Sequence, residues 1–470
     1  MRLYYATVAL GQLAAASRPG QCITRDVAII GGGASGSHAA VWLRDHGYSI
    51  VLVEKNNRLG GHSHDYHDPE TGLDINVGVQ TWVDYQGSFA FPERMNVTIV
   101  PQARGPPNTE FYVNPKTGQL VPDWVPPDNA EVTAALQRFL DALMPYEHMV
   151  HPGYFNFPPP NQIPEDLLMP FKDFVKKYNC SAAIPRLWDS TASGVGDTMN
   201  VPTLYALQGS GYIMARTFLG QAASGVPSSG RVAELYEKVA DFLGSDVLFE
   251  TMVLTTTRTA RGVTLRVKNP QGKTSCIEAK RLLLAIEPTS QNLSPFDLDK
   301  TERDVFGKFK FPTSYVGFLR HPSLQNGFSY AVRTTSPESY TYLDFPTAPV
   351  VGRLYYLSGT NALYRFIAVG TEKDTSNNIK KVISKHIKDM IEAGTLPPSN
   401  GTVEYAVFAD HGHMHAHVTA KELRAGFIQK LYSLQGRKNT WYTGAAWSGQ
   451  FSTVLWKFNE ELLPRLIQGL

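Results

Sequence analysis

The sequence predicts an α/β protein, α+β over its whole length, built around a doubly wound parallel sheet. Three observations carry that prediction. The apolar run Val27-Ala28-Ile29-Ile30 passes directly into a glycine-rich turn, Gly31 to Gly36, and then into Ser37 to His46, which has helical composition and stops at Gly47. A second strand, Ile50 to Glu54, follows, and the right-handed crossover of such a unit puts the turn at the carboxyl end of the first strand, where ligands bind. The chain is also long enough, at 470 residues with 43% hydrophobic and 18% charged, for one large domain or two interleaved ones.

Beyond this unit the chain changes character. Prolines at 101, 106, 107, 115, 122, 126 and 127, and again at 158, 159, 160 and 164, exclude interior strands and helices where they fall. Between them Ala130 to Tyr146 and Pro164 to Tyr178 have helical spacing, which predicts an α-rich insertion, and Ser229 to Leu243 has the pattern of another helix. Val247 to Thr257, Val263 to Val267 and Arg281 to Ile286 are expected as strands. Ser314 to Leu319, Tyr340 to Phe345, Leu354 to Ser358 and Phe366 to Val369 predict an antiparallel sheet. A helix over Asn377 to Ile391, strands near Val403 to Ala409 and Asn439 to Thr443, and a last helix over Ser452 to Ile467 complete the order.

A formal net charge of +2, with no Lys/Arg block interleaved with aromatics, argues against nucleic acid and leaves a small molecule as the expected partner. Cys22, Cys180 and Cys276, without a CxxC, allow at most one disulfide and support no structural zinc site. Residues 1–16 have the basic start, short apolar run and small-residue end of a cleaved secretory signal. With sequons at Asn96, Asn179, Asn292 and Asn400, they predict a glycoprotein of the secretory route. No stretch reaches the roughly eighteen apolar residues of a transmembrane span. Neither a G-x-S-x-G elbow nor a phosphate-binding P-loop is present, so hydrolase chemistry has no footing.

Gly31-x-Gly33-x-x-Gly36 between a strand and a helix has a purpose at each glycine. The first permits the sharp turn, the second lets a diphosphate approach the backbone, and the third lets helix and strand pack closely. Helix amides then face the phosphates. Glu54 ends the next strand, where a carboxylate accepts both hydroxyls of a ribose and disfavours a 2'-phosphate.

The continuation Glu54-Lys55-Asn-Asn-Arg58-Leu-Gly60-Gly61-His62 resembles the E-x-x-x-R-x-G-G extension of the flavin amine oxidase superfamily. Asp74-Ile-Asn-Val-Gly78-Val79-Gln80 resembles the family's segment beside the isoalloxazine, and Val247 to Val253 the strand whose valine backbone meets the adenine. Trp441-Tyr442-Thr443-Gly444, with Phe451 to Val454 at a helix start, resembles the C-terminal flavin motif. The resemblance implies FAD as the cofactor, contacted by Gly31, Gly33, Ser35, Gly36, Glu54, Lys55, Arg58, Gly60, Gly61, His62, Gly78, Val79, Val253, Gly444, Phe451 and Val454. It also implies a discontinuous, Rossmann-like FAD-binding domain over 23–90, 226–290 and 436–470, with a substrate domain of mixed sheet and helix over 91–225 and 291–435. Leu168 to Phe174, Cys180, Trp188 and Leu434 to Tyr442 are similar to the bacterial polyunsaturated fatty acid isomerase branch; leader, length and sequons are similar to the fungal beta-cyclopiazonate dehydrogenase branch.

Two departures shape the expected activity. The family's C-terminal glycine is followed by a glutamate that holds the flavin ribityl chain, whereas Gly444 is followed by Ala445 and Ala446. Ser314 falls where many amine oxidases carry a lysine that helps oxygen react, which favours a dehydrogenase or isomerase over an oxidase. The resemblance therefore implies an FAD-dependent dehydrogenase acting on a small hydrophobic substrate, a fungal secondary metabolite, with an electron acceptor that the sequence does not name. The alternatives are a redox-neutral double-bond isomerase of a polyunsaturated fatty acid and a flavin-binding protein without catalysis. Alignment of a C–H bond over the cofactor requires no dedicated base; Gln80 and His417 are the candidate catalytic residues, a histidine of the 411–417 run being able to act as acid or base, and Trp447 is the candidate for a substrate contact. Asp410-His411-Gly-His413-Met-His415-Ala-His417 offers a rival signal, because alternate histidines on a strand share one face and can ligate a metal. Without further ligand spacing around it, the run is expected as a polar strand end or loop, and no metal is assigned.

Overall fold

The computed structural model describes residues 22–102, 105, 108–191, 196–334 and 342–470; the expected signal over 1–16, and Pro106 and Pro107, lie outside the described residues. The first strand, Ile23–Ile30, runs parallel to Ile50–Val53 on one side and to Thr274–Leu284 on the other. Val247–Leu248 extends the sheet beyond Ile50–Val53, and Thr440–Tyr442 extends it beyond Thr274–Leu284. All of these strands run parallel, and the residues of the two central ones around Val27–Ile30 and Ile50–Val53 are buried, as a parallel sheet covered on both faces requires. Thr274–Leu284 is shared: its first half pairs antiparallel with Gly262–Lys268, its second half parallel with Thr440–Tyr442.

The first helix, Ala34–Asp45, begins inside the glycine turn, three residues before its expected start, and the last helix, Ser452–Ile467, matches its expected bounds. Rings lock the layer behind them: Phe91 lies edge-on to both His38 and Trp456, and Trp82 edge-on to Trp456. Fully buried Trp456 is thus a core residue.

A second sheet of six strands carries the other half. Its order is Glu404–His413, Thr313–Arg320, Tyr364–Gly370, Val350–Tyr356, Phe328–Val332 and Thr109–Val113. It is antiparallel apart from the pairing of Phe328–Val332 with Thr109–Val113. The helix Ser376–Glu392 packs Ile379, Ile383, Ile387 and Met390 against it. Among the described residues, no helix is long and apolar enough to cross a membrane.

Several sequence expectations are corrected. The helix expected over Pro164 to Tyr178 is two, Glu165–Leu168 and Phe171–Lys177, because Pro170 forces the residue before it out of helical geometry. Val247 to Thr257 is two strands separated at Phe249 to Thr251, where Thr251 N–H donates to Glu54 O at 2.9 Å. Residues 342–345, the described part of the strand expected over Tyr340 to Phe345, pair with no strand; Phe345 instead stacks on Trp188 with ring centroids 4.6 Å apart, and Phe328–Val332 takes the place in the sheet. Cys22 and Cys276 form the one disulfide the cysteine count allows, and Cys180 is free and buried.

Candidate cofactor cradle and active site

The three motif glycines meet different surroundings. A β-carbon on Gly36 would stand 1.9 Å from Gly31 O, and one on Gly31, at φ +99°, would stand 2.6 Å from Ala285 O. Both are demanded by protein packing. A β-carbon on Gly33 would meet nothing within 4 Å, so that position faces a groove. Gly60 N–H donates to Gly32 O at 2.8 Å, and a β-carbon on Gly61 would lie 3.1 Å from Gly33 Cα, so the two glycine-rich turns meet face to face.

The groove's charge suits an anion at its centre. The first helix has Gly33 at its N-cap with no side-chain cap and no acid in its first turn, leaving its amino-terminal N–H groups for a ligand. Ser452–Ile467 likewise begins at Phe451 without a side-chain cap or first-turn acid. Buried Glu54 accepts from Gly32 N–H (2.7 Å) through Oε2 and from Asn56 N–H (2.8 Å) through Oε1, which fixes the carboxylate beside the turn and leaves each oxygen a lone pair. Arg58 crosses below, donating to Leu59 O (3.3 Å) and Ser63 O (3.4 Å); burial pulls its pKa down, against the raising effect of Glu54 and Asp65. Lys55 is exposed, and Val253 follows the Thr251 contact with Glu54.

At the other end of the groove, Gly78 is pressed against His62: an added β-carbon would lie 1.9 Å from His62 O and 2.9 Å from His411 Cε1. The His62 and His411 rings stack with centroids 4.2 Å apart, and His64 lies edge-on to His411 at 6.3 Å. Burial lowers His62 and His64 to about 4, and burial with the neighbouring histidines and Arg58 holds His411 well below the ordinary value. These rings are therefore neutral at pH 7. Val79 N–H donates to His62 O at 3.2 Å.

The histidine run does not share one face. The register against Thr313–Arg320 shifts where Ser314 pairs with Gly412 and Tyr315 with Asp410, so His411 is the bulged residue. The strand ends at His413, whose ring lies edge-on to Phe311, and His415 has φ +50°. His417 bonds its own neighbour, Nδ1 to His415 O at 2.9 Å, and exchanges backbone hydrogen bonds with Lys310. The expected polar strand end is what the structure shows. Gln80 Nε2 donates to Asn76 O (2.9 Å) and Gly78 O (2.8 Å), holding the turn.

The C-terminal turn is bound to the first helix by a buried polar network. Ser35 Oγ and Thr443 Oγ1 are 2.5 Å apart, Thr443 Oγ1 donates to Asn459 Oδ1 (2.6 Å), and Asn459 Nδ2 donates to Ser35 O (2.7 Å). The Ser35 hydroxyl is thus committed to protein, which the motif alone did not reveal; Thr443 and Asn459 were not singled out from sequence. A β-carbon on Gly444, at φ +117°, would meet nothing within 4 Å, so this turn also faces open space. Val454 is fully buried among Val83, Tyr85 and Ile213. Trp447 is 1% exposed and stacks on Tyr442 (5.2 Å, 11°), the packing of a core residue and not of a cavity wall. Two uncapped helix ends, two glycines facing open space beside them and a carboxylate at one side fit an extended dinucleotide with a diphosphate in its middle.

A cavity of about 380 Å³ lies between the helical insertion and the second sheet, with Trp188, Asn200, Thr334 and Phe345 on its wall. That is room for a small molecule. Asp197, also on the wall, acts electrostatically on His417.

Residues 29–91 match a family described as NAD(P)-binding Rossmann-like domain. The chain is 32% identical to an FAD-dependent oxidoreductase of Cochliobolus heterostrophus, over 95% of this chain and 92% of that one. It is 31% identical to beta-cyclopiazonate dehydrogenase of Aspergillus oryzae, over 94% and 93%. Among solved structures, a CLA-producing fatty acid isomerase from P. acnes superposes with a TM-score of 0.72 at 19% identity, covering 94% of this chain and 99% of that one. Putrescine oxidase superposes with a TM-score of 0.62 at 16% identity, covering 95% and 100%.

Proposed function

The chain belongs to the family of FAD-dependent oxidoreductases that includes beta-cyclopiazonate dehydrogenase, and on that premise we propose that it dehydrogenates a small hydrophobic metabolite. The cofactor is FAD, which when bound supplies the hydride acceptor. The observation that carries the reading is that Gly33 and Gly444 both face open space beside two uncapped helix ends, on segments joined through Ser35, Thr443 and Asn459. Gly33, with Gly60 and Gly61 beside it, brings backbone to the diphosphate, Gly31 and Gly36 close the turn against the protein, and Glu54 receives the adenosine ribose. Gly78, His62 and His411 line the side where the six-stranded sheet meets the glycine turns, and the two neutral imidazoles add no charge beside an apolar C–H donor. The chain's part in catalysis is to align that C–H bond for hydride transfer, while the second hydrogen leaves as a proton that a neutral imidazole such as His417 can accept.

A tailoring step on a secondary metabolite fits the substrate class. Passage through a secretory compartment is supported by the disulfide, which suits an oxidising environment, and by the exposure of all four sequon asparagines. Purified protein should be yellow, and its flavin spectrum should bleach when a substrate is added without oxygen. Product lighter by two hydrogens is the expected result. Unchanged product mass would make it an isomerase, and no bleaching by any member of the substrate class would leave a flavin-binding protein.

A further inference from the structure

Glu287 is a half-buried acid whose Oε2 has no hydrogen-bond partner in the protein. Its Oε2 is enclosed and receives no hydrogen bond, and burial alone pushes its carboxyl up to about 7. A carboxylate oxygen enclosed without a donor is costly, and such an atom calls for an explanation.

Its place in the sheet supplies one. The parallel strands lie in the order Val247–Leu248, Ile50–Val53, Ile23–Ile30, Thr274–Leu284, Thr440–Tyr442, and they end at one level. The diphosphate turn caps Ile23–Ile30, and Glu54 caps the strand on one side of it. Residues Ala285 to Glu287 cap the strand on the other side, and Ala285 O and Ile286 Cγ2 lie against Gly31. Leu284 pairs with Tyr442, so the segments leading to Glu287 and Ala445 leave the sheet side by side. FAD is a diphosphate with an adenosine ribose on one arm and a three-hydroxyl ribityl chain on the other. With the ribose arm toward Glu54, the ribityl arm passes over the strand that Glu287 follows, about 4.8 Å from the diphosphate strand.

We propose that Glu287 is the residue that holds the ribityl hydroxyls of FAD, its carboxylate accepting the hydrogen bonds they donate. This rests on the FAD reading above. The hydroxyls give the enclosed oxygen the donors the protein withholds, and Ala445 on the neighbouring segment leaves room for the chain.

The test measures affinity of the apoprotein for FAD by quenching of flavin fluorescence, and for ADP, which has the ribose arm and the diphosphate but no ribityl chain. Glu287→Ala should weaken FAD about tenfold to a hundredfold, the range for hydrogen bonds to a charged group, and leave ADP unchanged. Glu287→Gln, of the same shape, should lose less and serves if the alanine variant fails to fold. Adding Ala445→Glu to Glu287→Ala should restore FAD affinity from the turn that follows Thr440–Tyr442. Equal loss of FAD and ADP, or wild-type FAD affinity in both Glu287 variants, would overturn the assignment. A wild-type chain that binds ADP but not FAD would overturn the cofactor reading beneath it, a distinguishable result.

Discussion

Gly33 and Gly36 are separated by one helical turn and should fail in opposite ways. Gly33→Ala places a methyl group in the groove, where no protein atom lies within 4 Å, at ordinary backbone angles of φ −69° and ψ −171°. Replacing glycine at an N-cap by alanine costs up to about 1 kcal/mol, and the lost freedom of the unfolded chain returns about 0.4–1 kcal/mol, so apoprotein stability should hardly move. The same methyl pushes the diphosphate off the turn's amides. Losing one such charge-assisted hydrogen bond, about 1.5–3 kcal/mol, weakens FAD roughly tenfold to over a hundredfold. Gly36→Ala inserts its methyl 1.9 Å from Gly31 O, backbone against backbone, which cannot yield without parting the first helix from its strand. That variant should lose about 1–3 kcal/mol or more and melt several degrees lower even as apoprotein. Thermal unfolding of the apo variants and fluorescence titration with FAD separate the two effects. Gly33→Ala binding FAD within about twofold of wild type would refute the placement of the diphosphate on that face.

Arg258 and Glu302 form a fully buried bidentate pair at 2.7 Å, joined by Asp297 and Tyr442. Arg258→Met should cost about 3–5 kcal/mol by stranding the acid, with most of it recovered in Arg258→Met/Glu302→Leu; equal melting of single and double variants would refute this. Burial lowers His38 to about 3, and His151 and His386 to about 4. The unfolded chain therefore binds protons that the native one refuses between about pH 6.5 and 4, and stability should fall with pH by about 1.4 kcal/mol per unit for each histidine. A melting temperature flat across that window would contradict it. The disulfide closes a separation of 254 residues, so Cys276→Ser should destabilise by about 2–5 kcal/mol, and a reductant should lower the melting temperature of the wild type alone.

The dinucleotide unit was legible because each of its signals is local: an apolar run, glycines at fixed offsets and an acid at the next strand's end. The last helix was legible for the same reason. What escaped depends on partners distant in sequence. The stack of His411 on His62 follows from a bulge that no periodicity announces, and Ser35 is drawn from a ligand role into a network with Thr443 and Asn459. Glu287 carries a signal only in retrospect, a charge directly after a buried strand at the sheet's carboxyl edge. Pro170 was visible, but the helical spacing on either side of it outweighed the rule it obeys.

The network joining Ser35 to Thr443 spans 408 residues of chain. A nascent polypeptide therefore displays the glycine turn long before the strand and helix that complete the cofactor site exist, and cofactor capture belongs to the end of assembly and not to its nucleus. Where the newly made chain finishes folding is where FAD has to be available.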